Sequence, residues 1–414
     1  MNIIGIGNIA FRGITLISKF IFVFFLGKFS IDETNLGVYG IIVTTIAFLI
    51  YLLGFDFYVF NTREIINSKD EVVTKVRNQL YFHLVLYLFL IPLALVSIFG
   101  LEFIQPEYIL IFILLSISEH LGQEIFRLLT SLERSLTANV LLFLKSGVWI
   151  WYVLFDFFIL GNDIDLFKYM IVWVVSSWGS LLIGVFIIKR FLKIVKWKMY
   201  KPDIPWIIKG LKTSSIFFMS SLSFLVIQFS DRFMIDFFHG KILVGVYTTY
   251  AQFINAIDVF TFSGIIMITY PKLIKHITNK KAYNQLRTKF FNKLLATSIV
   301  LIAGSYFIAP YIFEFLEKPS FMNFIETYNI LLIGIFFLVM SNVFHYDLYA
   351  KKKDRLLLKI AAVGMCLNII LNMILIPKFE IFGASLATLS SFFFIFLTKF
   401  YFSRQKTKIV YDNI

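Results

Sequence analysis

Apolar residues run in long, unbroken blocks along this chain, as in KFIFVFFLG and YFHLVLYLFLIPLALVSIFG. Strands of a membrane barrel would alternate over about ten residues, and these blocks do not. In lipid the backbone must satisfy its own hydrogen bonds, which leaves helices. About twenty apolar residues cross the hydrocarbon core. The pattern predicts about twelve such spans, near 4–28, 36–60, 79–100, 108–130, 138–160, 168–188, 213–238, 242–270, 291–314, 321–345, 356–377 and 383–402.

Composition supports that reading. The 414 residues are 59% hydrophobic and only 15% charged, against about a quarter charged in soluble domains. The first apolar block contains Arg12 and Lys19 and no small-residue cleavage site, so it reads as a retained helix and not a signal peptide. The single cysteine, Cys366, excludes an intrachain disulfide.

The net charge of +14 invites a nucleic-acid reading, which its distribution rejects. Thirty cations fall in the loops around 61–78, 127–134, 189–212, 272–293 and 351–359 and at the C-terminal end, 399–408; the opposite loops hold Lys28, Lys168, Lys241, Lys318 and Lys378. By the positive-inside rule the richer set is cytoplasmic, and both termini with it.

The longest connection, 189–212, mixes cations with Trp197 and Trp206, as an interfacial amphipathic helix does. It separates an N-terminal lobe, 1–188, from a C-terminal lobe, 213–402, which a cytoplasmic tail, 403–414, follows. An internal repeat agrees. KFIFVFFLGK (19–28) matches RFMIDFFHGK (232–241), and LGVYG (36–40) matches VGVYT (244–248) in the same order. First and seventh helices run the same way, so the repeats are parallel. The expected fold is an all-α integral membrane protein, two parallel six-helix lobes around a central cavity.

No GxxxxGK[ST], HExxH or nucleophile elbow occurs, so no enzyme, ATPase site or cofactor is expected. The five histidines are scattered in sequence and predict no metal site. The informative residues are ions inside apolar spans, each costing a few kcal/mol if it faces lipid. Arg12 and Lys19, seven apart, share one face of the first helix. Arg232 stands where Lys19 stands in the repeat, and Lys145 lies in the fifth span. They are candidates for a cationic cavity lining; snorkelling is the alternative for Arg12, Lys19 and Lys145, and pairing with Asp231 or Asp236 for Arg232. Asp56, Asp156, Asp231, Asp236 and Asp258, with Glu119 and Glu124, are candidates for ion coupling or for pairing with these cations. Asn255, Asn368 and Asn372 are candidates for polar ligand contact or for bonds between helices.

SDRFMIDFFHGKILVGVYTTYAQFINAID ending at YPKL (270–273), the segment LNIILNMILIPKFEIFGASLATLSS (367–391) and NIAFRGITLISKF in the first helix together resemble Wzx-type O-antigen and capsule exporters. These belong to the multidrug/oligosaccharidyl-lipid/polysaccharide (MOP) superfamily. The resemblance covers essentially the whole chain. It implies a flippase that moves an undecaprenyl-pyrophosphate-linked oligosaccharide from the inner to the outer leaflet of the bacterial inner membrane. It also implies membrane lipids, a polymerase and a chain-length regulator as candidate partners, and no nucleic acid. Arg12, Lys19 and Arg232 would then face the pyrophosphate. A multidrug cation antiporter of the same superfamily would need a dominant acid in the first lobe, where the first helix has two cations. A membrane-bound glycan polymerase or glycosyltransferase would need an acid pair or a large outer loop, and the outer loops are short.

Overall fold

The computed structural model describes residues 3–67, 71–192, 201–277 and 279–405. Among the described residues there is no strand, and eleven helices are long and apolar enough to cross a membrane. This is a multi-pass membrane protein.

The chain divides into two compact units, Met1–Phe218 and Met219–Ile414. The first contains α1 (Ile3–Phe29), α2 (Thr34–Gly54), α3 (Phe57–Asn67), α4 (Val72–Leu101), α5 (Ile109–Ser131), α6 (Ser135–Ser146), α7 (Val148–Phe158) and α8 (Leu166–Phe191). Here α5, α6 and α8 pack on one another, and α1 lies on α6. Helix α9 (Ile204–His239) contributes to both units. The second unit continues with α10 (Lys241–Thr261), α11 (Met267–Lys275), α12 (Lys280–Phe315), α13 (Pro319–Asn323), α14 (Ile325–Ala350) and α15 (Asp354–Arg404). There α14 packs along α15, α12 and α10.

Several expected spans take a more broken form. The span placed at 36–60 stops at Gly54. Phe55 and Asp56 adopt left-handed backbone conformations (φ 49° and 48°) before α3 restarts the helix. The span at 138–160 is α6 and α7, divided at Gly147, where the Phe143 ring fills the space a Cβ would need. A π segment, Phe262–Ile266, joins α10 to α11. Conversely, the last two spans lie within the 51 residues of α15. That is about 77 Å of helix at 1.5 Å per residue, far beyond a ~30 Å hydrocarbon core. It breaks at Glu380 (φ 51°, ψ −137°), three residues past Pro377, whose nitrogen cannot donate. The turn is so tight that a Cβ on Gly383 would strike the Leu375 carbonyl.

Helix α4 shows how such a segment divides its surface. Leu84, Leu88, Phe89, Leu93 and Val96 are each more than half exposed, on a face suited to lipid. Asn78, Gln79, Phe82 and His83 are buried on the other.

The expected linker 189–212 is only partly described. Lys193, Lys196, Trp197 and Lys198 lie outside the described residues, as do Lys69, Lys406 and Lys408 of the basic loops and tail. Its later part forms the first turns of α9. Ile207 is buried there in a cluster with Phe57, Phe60 and Phe82, and Trp206 packs on it. The backbone N–H of Asp203 donates to Asn78 Oδ1 (3.2 Å), and Gly210 lies so close to the Phe57 and Phe60 rings that no Cβ fits.

Candidate functional site

The four cations singled out in the apolar helices fall in two places. Arg12 and Lys19 of α1 and Lys145 of α6 line one cavity of about 310 Å³ inside the first unit. Helix α5 closes it with Glu119 and Gly122, and α8 with Ser180 and Leu181. Seven helical residues place Arg12 and Lys19 about 10 Å apart along the axis.

Lys145 is buried and does not snorkel. Its Nζ lies 2.6 Å from Glu119 Oε2 and donates to the Glu119 carbonyl at 3.3 Å. Gly122 makes this possible: a Cβ there would sit 2.9 Å from Lys145 Cδ. Glu119 is held further by Trp173 Nε1 (3.1 Å) and Ser177 Oγ (3.4 Å). Trp173 stacks on Trp149 (centroids 5.3 Å), and Trp149 meets Phe22 edge-on. An aromatic wall thus fixes the one carboxylate of the cavity on one cation. Arg12, which is exposed, and Lys19, half-buried, have no ion-pair partner among the described residues. Three cations therefore share one acid.

Arg232 is differently placed. It is 3% exposed and lines a cavity of about 40 Å³ within the second unit, with Asp231, Tyr247, Asn255 and Asp258. Its Nη1 donates to the Gln228 carbonyl (2.7 Å) and to Asp231 Oδ1 (3.2 Å). Tyr247 Oη donates to Asp231 Oδ2 (2.6 Å). The Phe229 and Tyr247 rings lie within 6 Å of the guanidinium, at 5.0 and 5.6 Å, close enough for cation–π attraction. Of the two acids offered as its partner, Asp231 holds it, whereas Asp236 pairs with Lys241.

The remaining candidates are dispersed. Asp156 binds Lys168 Nζ (2.7 Å) and Asn162. Asp56 is buried at the break before α3. Asn372 Nδ2 donates to Asn368 Oδ1 (3.0 Å), leaving Asn368 Nδ2 and Asn372 Oδ1 buried without partners.

The structure also gathers a polar cluster that the spacing of the histidines did not predict. His83 on α4 and His120 on α5 meet edge to face, ring centroids 4.6 Å apart. Glu124 lies one turn beyond His120. Gln79 Nε2 donates to Glu124 Oε2 (2.5 Å) and lies 3.1 Å from His83 Nε2. Arg127 Nη1 donates to Glu124 Oε1 (2.5 Å), and its guanidinium lies over the Tyr58 ring at 3.7 Å. Asn61, Gln79, His83, Glu124 and Arg127 line a cavity of about 380 Å³. Two histidines that are scattered in sequence thus meet in the fold. Two i, i+4 pairs, Gln79/His83 and His120/Glu124, were the available signal, since each puts both side chains on one helix face.

The fold is similar to those of several solved membrane transporters. The lipid II flippase MurJ superposes with a TM-score of 0.73 at 18% identity, over 97% of this chain and 87% of that one. A multidrug resistance MATE family transporter of the MOP superfamily gives 0.72 at 14% identity, over 94% of each. A further MOP transporter, from Pyrococcus furiosus, described as having a binding pocket of reverse polarity, gives 0.55 at 13%, over 96% of this chain and 92% of that one. These likenesses, at 13–18% identity, show a shared fold. No family model matches the chain. In sequence, 181 residues are 25% identical to an uncharacterized membrane protein of Methanocaldococcus jannaschii, spanning 43% of this chain and about a third, 36%, of that protein.

Proposed function

We propose that this protein is a flippase for a lipid-linked oligosaccharide with an anionic phosphate or pyrophosphate headgroup, serving assembly of O-antigen or another surface polysaccharide. The observation that carries the reading is the cavity with Arg12, Lys19 and Lys145 around the single acid Glu119. An uncompensated cation within a membrane helix costs about 2.5–3.5 kcal/mol on insertion scales. A headgroup phosphate offsets that cost, and low dielectric strengthens the attraction. Guanidinium offers a fork to phosphate oxygens and ammonium a point charge, so Arg12 and Lys19 take the headgroup. Lys145, tied to Glu119, sets the positive field beside them.

The fold shared with a lipid II flippase supports the substrate class. A cationic drug suits the cavity poorly, because its only acid already holds Lys145. In the proposed cycle the lipid tail stays in the bilayer while the lobes alternate access to the two leaflets. The proposed location is the bacterial inner membrane with both termini cytoplasmic.

The test is surface glycan in a flippase-null strain, normalised to membrane protein abundance. Arg12→Ala and Lys19→Ala are each expected to reduce export about tenfold or more, the scale of a lost charge-assisted hydrogen bond. Near wild-type export from the double variant refutes the reading.

A further inference from the structure

The His83, His120 and Glu124 cluster is separate from the cationic cavity, and the transport reading makes no use of it. One ring nitrogen from each histidine and a carboxylate oxygen of Glu124 lie within 4.8 Å of one another. Each imidazole is oriented from its far side. His83 Nδ1 lies 2.9 Å from the Leu53 carbonyl of α2. A carbonyl only accepts, so Nδ1 carries the proton and the neutral ring turns its Nε2 lone pair inward. His120 Nδ1 is held by Tyr87 Oη at 2.6 Å. Its Nε2 is buried and has no hydrogen-bond partner, and it faces Gly54, where even a Cβ would be only 3.5 Å away. Burying an unpartnered polar atom is unfavourable, and this one points to a missing ligand.

We propose that His83 Nε2, His120 Nε2 and Glu124 Oε2 bind one divalent transition metal of the zinc type. Two imidazoles and one carboxylate are a borderline-soft donor set suited to that ion, and an open fourth position takes water. The 380 Å³ cavity that reaches His83 and Glu124 gives the ion its entry path and supplies that water. Gln79 holds the place of the metal. Its amide nitrogen lies against both His83 Nε2 and Glu124 Oε2, so its two hydrogens meet the lone pairs a cation would take. His83 Nε2 and Glu124 Oε2 are 4.0 Å apart. A tetrahedral ion with bonds of about 2.0–2.1 Å needs about 3.3 Å between ligands, a closure within reach of side-chain adjustment once the amide swings away. Arg127 keeps Oε1 and orients the carboxylate, as outer hydrogen bonds do at metal sites. The bound ion ties α4 to α5.

The test uses the full-length chain in detergent with any purification tag removed, titrated with Co²⁺ as a coloured stand-in for Zn²⁺. Wild type is expected to bind one Co²⁺ per chain with the visible absorption of a tetrahedral nitrogen–oxygen site, displaced by Zn²⁺. His83→Ala and His120→Ala are expected to weaken binding by about tenfold or more. His276→Ala, at a surface histidine elsewhere, leaves it unchanged. Gln79→Ala keeps all three ligands, removes the competing amide and retains or tightens binding. Absence of stoichiometric Co²⁺ binding in wild type overturns the proposal. So does binding that survives loss of both histidines, or that His276→Ala removes.

Discussion

Two stretches matched in sequence, KFIFVFFLGK and RFMIDFFHGK, treat the same position in opposite ways. At the head of the second, Arg232 follows Asp231, which bonds it, and Tyr247 fixes that acid in turn. At the head of the first, Lys19 follows Ser18, whose hydroxyl donates to the Ile14 carbonyl and accepts from Trp151. Tyr39, matched to Tyr247, packs edge-on against Phe22 at 5.0 Å. One cation is neutralised from within; the other has no ion-pair partner among the described residues and borders a cavity. Two stretches of matching sequence thus differ at the residue before the cation: Asp231 bonds Arg232, whereas Ser18 turns to a backbone carbonyl and to Trp151.

Three variants test this contrast. Arg232→Ala strands Asp231 in the interior and is expected to destabilise the protein by about 3–5 kcal/mol, the usual cost of breaking a buried pair from one side. Asp231→Asn combined with Arg232→Gln is expected to recover most of it. Thermal unfolding in detergent reads both. Lys19→Ala breaks no pair and is expected to leave stability nearly unchanged; an equal loss there would erase the distinction.

Ser18→Asp copies the second stretch into the first. It supplies Lys19 with a neighbour like Asp231 and is expected to weaken binding of a pyrophosphate-lipid analogue by about tenfold, through a competing charge-assisted bond. Unchanged affinity would show that the charge of Lys19 is not what the ligand meets. Lys19→Arg preserves charge and alters geometry. It is expected to lower export only a few-fold, because an ammonium site depends more on charge than on a planar fork; loss as complete as that of Lys19→Ala would mean that shape governs the position.

Much of the fold was legible because lipid leaves the chain few choices. The apolar blocks marked each of the eleven helices long and apolar enough to cross a membrane among the described residues, even where Gly147 or the π segment at Phe262–Ile266 divides one. The stop at Gly54 was not legible, since apolar residues continue past it while Phe55 and Asp56 turn the backbone left-handed. Arg12, Lys19 and Lys145 stood out because a cation in an apolar helix is conspicuous alone. Their sorting was hidden: Glu119 comes 26 residues before Lys145 in the chain, and only the packing of α5 on α6 brings them together. The histidine cluster was hidden for the same reason, its members lying on two helices and anchored by Leu53 on a third.

The first turns of α9 decide where the chain can be divided. Trp206, Ile207 and Leu211 open the helix that runs on into the second unit, yet they cover Phe57, Phe60 and Phe82 in the first. A gene cut between α8 and α9 would give a first fragment with a raw aromatic patch, prone to aggregate. It would give a second fragment whose leading turns had lost their seat.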